Sequence, residues 1–268
     1  KDNSGAVGSA SKTITRSNRA PSVSFVSTPN FKDNVDYTFS YKATDPDTRV
    51  DATLTTDVYV GSTKVASAVS SSNGSNKSVT IDKNNLPVAE SFVLKIISKD
   101  KKGLTAEISK TINRENRVPT IDITNYPTNV HRRENNLSFE FTVSDADVRM
   151  DPVLTTNIEL DRSKVSEADF EISPAVSVAN GNIPTINGTT YQVTIKNKTK
   201  YVSTGKDNFT LNVKARDTFG TINNKSVTIN NINNDPCITI VKDELSIADR
   251  EIPKHDQTFS FKVTASDS

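Results

Sequence analysis

The feature that most constrains this chain is that it repeats. Arg16-Ser-Asn-Arg-Ala-Pro21 recurs as Arg114-Glu-Asn-Arg-Val-Pro119 and, more loosely, as Asn231-Ile-Asn-Asn-Asp-Pro236. In each copy an asparagine stands three positions before the proline (Asn18, Asn116, Asn233). An isoleucine stands seven before it (Ile14, Ile112, Ile229). The three prolines thus recur at intervals on the order of 100 residues, and a period of that length is a whole domain folded again, each copy burying a core of its own.

Landmarks inside the copies agree. Leu54-Thr-Thr56 matches Leu154-Thr-Thr156. Phe92-Val-Leu-Lys-Ile96, followed by Lys99-Asp100, matches Phe209-Thr-Leu-Asn-Val213, followed by Arg216-Asp217. The interval from this phenylalanine to the next proline is the same in both copies, Phe92 to Pro119 and Phe209 to Pro236. The interval from Leu154 to Phe209 is longer than that from Leu54 to Phe92, so the second copy carries an insertion between Asp161 and Thr190. The phasing divides the chain into the C-terminal strand or strands of a preceding repeat (1–19), a sandwich (20–117), a sandwich with an insertion near 161–190 (118–234), and the N-terminal strands of a further repeat (235–268). Phe259-Ser-Phe-Lys-Val-Thr-Ala-Ser-Asp267 matches Tyr37-Thr-Phe-Ser-Tyr-Lys-Ala-Thr-Asp45. The expectation is a piece of a longer tandem array.

Period-two alternation sets the strands. Tyr37, Phe39, Tyr41 and Ala43 alternate with polar residues, as do Leu137, Phe139, Phe141 and Val143. Leu54, Thr56, Val58 and Val60 form a second row, matched by Leu154, Thr156, Ile158 and Leu160. Phe92, Leu94 and Ile96 form a third, matched by Phe209, Leu211 and Val213. One apolar and one hydrated face per strand is the pattern of antiparallel sheets packed face to face. About seven strands in roughly 100 residues predict an all-β fold of Greek-key sandwiches. The best helix candidate is Ser163 to Phe170, inside the insertion.

The strings Asn-Arg-x-Pro, Tyr37-Thr-Phe-Ser-Tyr-Lys-Ala-Thr-Asp45-Pro-Asp47, and Phe92-Val-Leu-Lys-Ile96 with Lys99-Asp-Lys-Lys-Gly103 resemble tandem immunoglobulin-like (fibronectin-III/cadherin-like) repeats. Such repeats occur in bacterial surface proteins and in phage virion structural proteins. The resemblance implies tandem Ig-like domains in a linear array. It further implies a semi-rigid stalk or appendage, most naturally a phage tail, head or fibre protein. The alternatives are a bacterial cell-surface adhesin stalk, or accessory repeats of a secreted cell-wall or polysaccharide enzyme. Antibody hallmarks are missing: the chain has no Trp and one Cys, Cys237.

Composition excludes other classes. Lys+Arg 33 against Asp+Glu 32 leaves a net charge of +1, so no basic nucleic-acid footprint is present. No apolar run approaches the roughly 18 residues of a membrane span, and Lys1 to Arg19 is polar throughout. His131 and His255 lie in polar turns without a Ser or Cys partner, so no catalytic residue is assigned. With 9 glycines there is no phosphate loop. Tyr126, Tyr191 and Tyr201 are candidate glycan contacts, and the competing reading makes them partly packed surface tyrosines. An intramolecular Lys–Asn or Lys–Asp bond requires a buried lysine, and Lys42, Lys95 and Lys214 fall at outward positions.

The sharpest polar motif is Asp45-Pro-Asp47-Thr-Arg49-Val-Asp51, repeated as Asp145-Ala-Asp147-Val-Arg149-Met-Asp151. Clustered carboxylates at one end of a sandwich suit calcium, a hard cation that takes oxygen ligands. Asp45, Asp47, Asp51, Asp145, Asp147 and Asp151 are therefore the metal candidates. The competing reading is an Asp-rich turn neutralised by Arg49 or Arg149. No other cofactor is expected. The partners expected are other copies of the chain, other virion or surface proteins, and a host-surface receptor or glycan, at an extracellular location.

Overall fold

The computed structural model describes residues 3–5, 7–203 and 205–233, with the backbone of Cys237–Thr239 and Thr264–Ser266. The chain divides into two compact units, Lys1–Asn116 and Arg117–Ser268.

The first unit holds seven strands: β1 (Ser22–Ser27), β2 (Tyr37–Thr44), β3 (Thr53–Val60), β4 (Thr63–Ser72), β5 (Asn76–Ile81), β6 (Ser91–Lys99) and β7 (Thr105–Asn113). They form two antiparallel sheets, β1-β2-β5 and β4-β3-β6-β7. The chain changes sheet between β2 and β3, between β4 and β5, and again between β5 and β6. This is an Ig-like sandwich in the three-plus-four arrangement. Alternation decides which side chains go inside. Tyr37, Phe39, Tyr41 and Ala43 of β2 meet Leu54, Val58 and Val60 of β3 and Phe92, Leu94 and Ile96 of β6 in one buried cluster. Edge-on ring contacts, Phe31 to Phe92 at 5.1 Å and Tyr37 to Phe92 at 5.5 Å, fill one end of it.

The second unit repeats this plan. Its strands are β8 (Thr120–Thr124), β9 (Asn129–His131), β10 (Leu137–Ser144), β11 (Val153–Leu160), β12 (Ser163–Lys164), β13 (Phe170–Ser173), β14 (Ile183–Ile186), β15 (Thr190–Ile195), β16 (Asn208–Arg216) and β17 (Ile222–Ile232). One sheet runs β13-β15-β10-β8; the other runs β12-β11-β16-β17-β9, with β14 also paired to β11. Phe139, Phe141 and Val143 pack against Leu154, Ile158, Leu160, Leu211 and Val213. Phe141 and Tyr191 stack at 5.6 Å.

The insertion enters at a particular place. In the first unit β4 pairs with β3 along its whole length, broken by a register irregularity near Val58 and a left-handed Ala68 (φ 50°). In the second unit the same strand is cut there. Ser163 and Lys164 of β12 pair with Leu160 and Glu159, as Thr63 and Lys64 pair with Val60 and Tyr59. Ile183–Ile186 of β14 pair with β11 as residues 69–72 pair with β3. Residues 165–182 leave between these halves, and β13 adds itself to the opposite sheet beside β15. The expected helix over Ser163–Phe170 is therefore a strand pair and a short 3₁₀ turn at Glu167–Asp169. A segment this short is a marginal helix, because nucleating the first turn is costly. Among the described residues the α-helical turn is α1 (Lys198–Tyr201).

Residues 7–21 carry no strand, and Val7 and Ile14 stand 70% and 89% exposed. Cys237–Thr239 pairs antiparallel with Thr264–Ser266, Cys237 opposite Ser266. The alternation read over Phe259–Val263, and His255, lie outside the described residues.

Two separate clusters predict two separable stabilities. Phe139→Ala should cost about 3–5 kcal/mol. Amide exchange should then accelerate across 120–232 and stay at the wild-type rate across 22–113, and Phe39→Ala should do the reverse. Hydrogen-exchange mass spectrometry checks this; faster exchange in both segments would mean a shared core.

Candidate functional site

In each unit the loop between the second and third sandwich strands (β2–β3, β10–β11) carries the aspartate motif. It must turn the chain from one sheet to the other, and it does so around buried carboxylates. Asp45, Asp47 and Asp51 are 0%, 2% and 0% exposed; Asp145, Asp147 and Asp151 are 3%, 0% and 0% exposed. One carboxylate oxygen from each member lies within 4.8 Å of the others in both triads. The candidate residues read from sequence are therefore brought together, three and three.

The carboxylates hold the loop in place. The Asp47 N–H donates to Asp45 Oδ1 at 2.6 Å, and the Asp147 N–H to Asp145 Oδ1 at 2.7 Å. The backbone N–H groups of Val50 and Asp51 return to the Asp47 carbonyl, as those of Met150 and Asp151 return to Asp147. Asp51 Oδ1 accepts the Lys101 N–H (3.0 Å), and Asp151 Oδ1 accepts both the N–H and the hydroxyl of Thr218. The motif thus ties the β2–β3 loop to the β6–β7 turn, and the β10–β11 loop to the β16–β17 turn.

Asp47 and Asp147 do something different. Their carboxylates face the segment that enters the sandwich. Arg19 gives Asp47 its backbone N–H (2.9 Å), its Nε (3.1 Å) and its Nη2 (2.7 Å), and Arg16 adds a contact at 2.6 Å. Arg117 grips Asp147 in the same way, through its N–H (2.8 Å), Nε and Nη2 (both 2.7 Å). Arg19 also reaches the Pro46 carbonyl and Arg117 the Ala146 carbonyl. Asn18 Nδ2 donates to Asp100 Oδ2 at 2.7 Å. The repeated Asn-Arg-x-Pro and Asp-x-Asp motifs are thus halves of one clamp, joined through the arginine. The hydrogen bonds from Arg19, backbone first and then side chain, with Arg16 behind them, outweigh burial and hold the Asp47 carboxyl well below the usual carboxylate range. In the second unit burial, aided by the charges of Asp147, Asp151 and Asp217, raises the Asp145 carboxyl from its ordinary value.

The partners of Arg19 and Arg117 were not legible, because the sequence pattern gives the neutralising role to Arg49 and Arg149. Two asparagines were also missed. Asn73 Oδ1 accepts the Asp45 N–H, and its Nδ2 donates to the Asp45 and Asp51 carbonyls, all at 2.8–2.9 Å. Asn187 makes the same three bonds to Asp145 and Asp151. Each asparagine is followed by a left-handed glycine, Gly74 (φ 79°) or Gly188 (φ 76°). That Asn-Gly pair, repeated, was the available signal.

Other sequence candidates resolve differently. Tyr191 is fully buried, its hydroxyl accepting the Ile186 N–H. Tyr201 donates to Asp169 and accepts the Ser166 N–H. Asp169 also takes Lys200 Nζ (2.6 Å) and Asn197 Nδ2 (2.7 Å), anchoring the insertion to α1. These bonds, led by the one from Lys200, lower its carboxyl to about 2. Tyr126 packs part-buried against the core. Lys42 is exposed, and Lys95 and Lys214 are half-buried. Among the described residues the buried lysine is Lys198, whose Nζ donates to the His131 carbonyl (2.7 Å) and Asn231 Oδ1 (3.2 Å). Burial lowers its pKa. Glu134, the carboxylate whose charge it feels, is exposed.

No protein-family model and no curated protein matches this chain. Among solved structures it is similar to protocadherin gammaB7 domains EC3–6 (15% identity, 82% of this chain and 50% of that one, TM-score 0.31). It is similar also to a 1.5-MDa bacterial ice-binding adhesin (8%, 85% and 71%, TM-score 0.31). A third is the insect immune protein hemolin (11%, 86% and 48%, TM-score 0.37). The chain spans half the length of the protocadherin structure. The likeness is one of fold, and the fold class here rests on the strand order given above.

Two outcomes follow for the clamp and its loop. Asn187→Ala deletes three hydrogen bonds worth about 0.5–1.5 kcal/mol each and should cost about 2–4 kcal/mol in urea unfolding of the second unit. Arg19→Gln should destabilise the first unit at neutral pH. The folded Asp47 carboxyl lies below its unfolded value of about 3.9, so the clamp contributes fully above that value and is lost as pH falls through the folded one. The gap between wild-type and Arg19→Gln urea midpoints should therefore narrow from pH 7 toward about pH 2.

Proposed function

We propose that this chain is a non-enzymatic structural and adhesive segment, a stalk of tandem Ig-like repeats displayed outside the cell in a phage tail, head or fibre protein. The observation that carries the reading is the clamp. The segment entering each sandwich is tied to that sandwich by an arginine that spends both its backbone N–H and its guanidinium on one buried aspartate. A proline follows two positions later, at Pro21 and Pro119, and fixes the backbone as the first strand begins. Tension arriving through the entry segment is then passed to the β2–β3 or β10–β11 loop and to the sheets behind it. Such wiring suits a spacer.

The polar faces support the same reading. The outward rows of β2 and β5 face solvent with Thr38 and Thr80 hydroxyls paired at 2.9 Å, and those of β10 and β15 with Ser138–Thr194 and Thr142–Thr190 pairs. Cross-strand hydroxyl pairs stabilise a wet sheet face without an apolar patch. No helix among the described residues is long and apolar enough to cross a membrane. Partners of this reading are further copies of the chain, other surface proteins of the particle, and a receptor or glycan.

Single-molecule pulling tests it. The strands of the first unit run from Ser22 to Asn113 and those of the second from Thr120 to Ile232. Two discrete unfolding events are expected, releasing segments with contour lengths of roughly 30 and 37 nm at about 3.3 Å per residue, each gain being smaller by the folded end-to-end distance. Arg19→Gln should lower the force of the shorter event alone. Gradual extension without discrete events would remove the spacer reading. Detection of the chain in purified phage particles supports the virion assignment; detection solely in the cell-wall fraction places it on a bacterial surface instead.

A further inference from the structure

We propose that each repeat binds one calcium ion, held between Asp45, Asp47 and Asp51 in the first unit and between Asp145, Asp147 and Asp151 in the second. This goes beyond the spacer reading and stands without it.

The cluster alone would not carry the assignment; the leftover oxygens do. Asp45 and Asp51 each spend Oδ1 on a backbone N–H, and each leaves Oδ2 buried with no hydrogen-bond partner. Asp145 and Asp151 repeat this, with Oδ1 used and Oδ2 buried and unpartnered. All four residues are 3% exposed or less. A buried carboxylate oxygen without a donor is costly, and two at matching places in two diverged repeats are not an accident of packing. The clamp does not relieve them, because the guanidinium of Arg19 or Arg117 reaches the carboxylate of Asp47 or Asp147.

A cation relieves all of them at once. Oxygens within 4.8 Å of one another fit around an ion with bonds of about 2.3–2.6 Å. Asp47 and Asp147 keep lone pairs after accepting their hydrogen bonds, so an ion and the arginine share that carboxylate. The all-oxygen donor set, rigidly turned by the loop, suits calcium. Every proposed ligand comes from one short loop, and the entry segment supplies arginine rather than carboxylate. The site therefore lies inside a repeat.

The test is calorimetric titration of the chain, stripped with chelator and dialysed, with calcium chloride. Two sites per chain are expected, with a rise in Tm of at least about 5 °C at calcium about a hundredfold above Kd. D45N should reduce the stoichiometry to one, and D45N/D145N should abolish both heat and shift. Asn at 45 or 145 keeps an acceptor for the Asp47 or Asp147 N–H, so the loop retains that bond. Equal Tm in chelated and calcium-loaded wild-type protein overturns the proposal, and needs no variant to fold. A shift matched by sodium chloride at equal ionic strength overturns it as charge screening. If D45N/D145N stabilises the chelated protein while wild type takes up no calcium, the oxygens share protons and the proposal fails.

Discussion

Both sandwiches depend on carboxylates buried where the chain crosses from one sheet to the other. A crossing loop exposes a run of backbone N–H groups that no neighbouring strand can satisfy. Asp45 and Asp51, with Asn73, absorb those of the first unit, and Asp145 and Asp151, with Asn187, those of the second. Once the loop is fixed, the strand pairs on either side have a defined offset, and the alternating apolar rows meet across the core. The apolar rows supply the gross stability; the polar loop decides how the two sheets are joined.

Much of this was visible in the residues themselves. The rows Tyr37–Ala43 and Leu137–Val143 alternate strictly, and burial follows the alternation almost position by position. A side chain on a strand has two choices of face, so pattern alone decides it. The triads were visible too, because the spacing Asp-x-Asp-x-x-x-Asp is local. What was hidden depends on long-range pairing. Arg19 meets Asp47 across 28 positions, and Asn187 meets Asp145 across 42. Lys198 looked like one more basic residue in a polar stretch, yet it is buried against backbone carbonyls 66 and 67 positions away. Nothing in local periodicity reports a partner at that distance.

The two units also show what the plan tolerates. Thr56 pairs with Ser98 inside the first core, and Thr156 with Thr185 inside the second, both at 2.8 Å. The threonine is kept, while its partner comes from a different strand in each case. The clamp, the Asn-Gly turn and the triad recur more closely than the core contacts do. Packing admits substitutions of similar volume, whereas a hydrogen-bonded loop loses a partner with any change of donor.

The cut strand of the second unit bears on how such repeats diversify. Two halves of one strand keep their original registers although the segment 165–182 now separates them. The left-handed Ala68 of the uncut strand shows why: pairing is already interrupted at that spot, so extra chain leaves through an existing gap and no ladder slips. The gap acts as a splice point, where one repeat can acquire a surface its siblings lack while the scaffold beneath goes on folding as before.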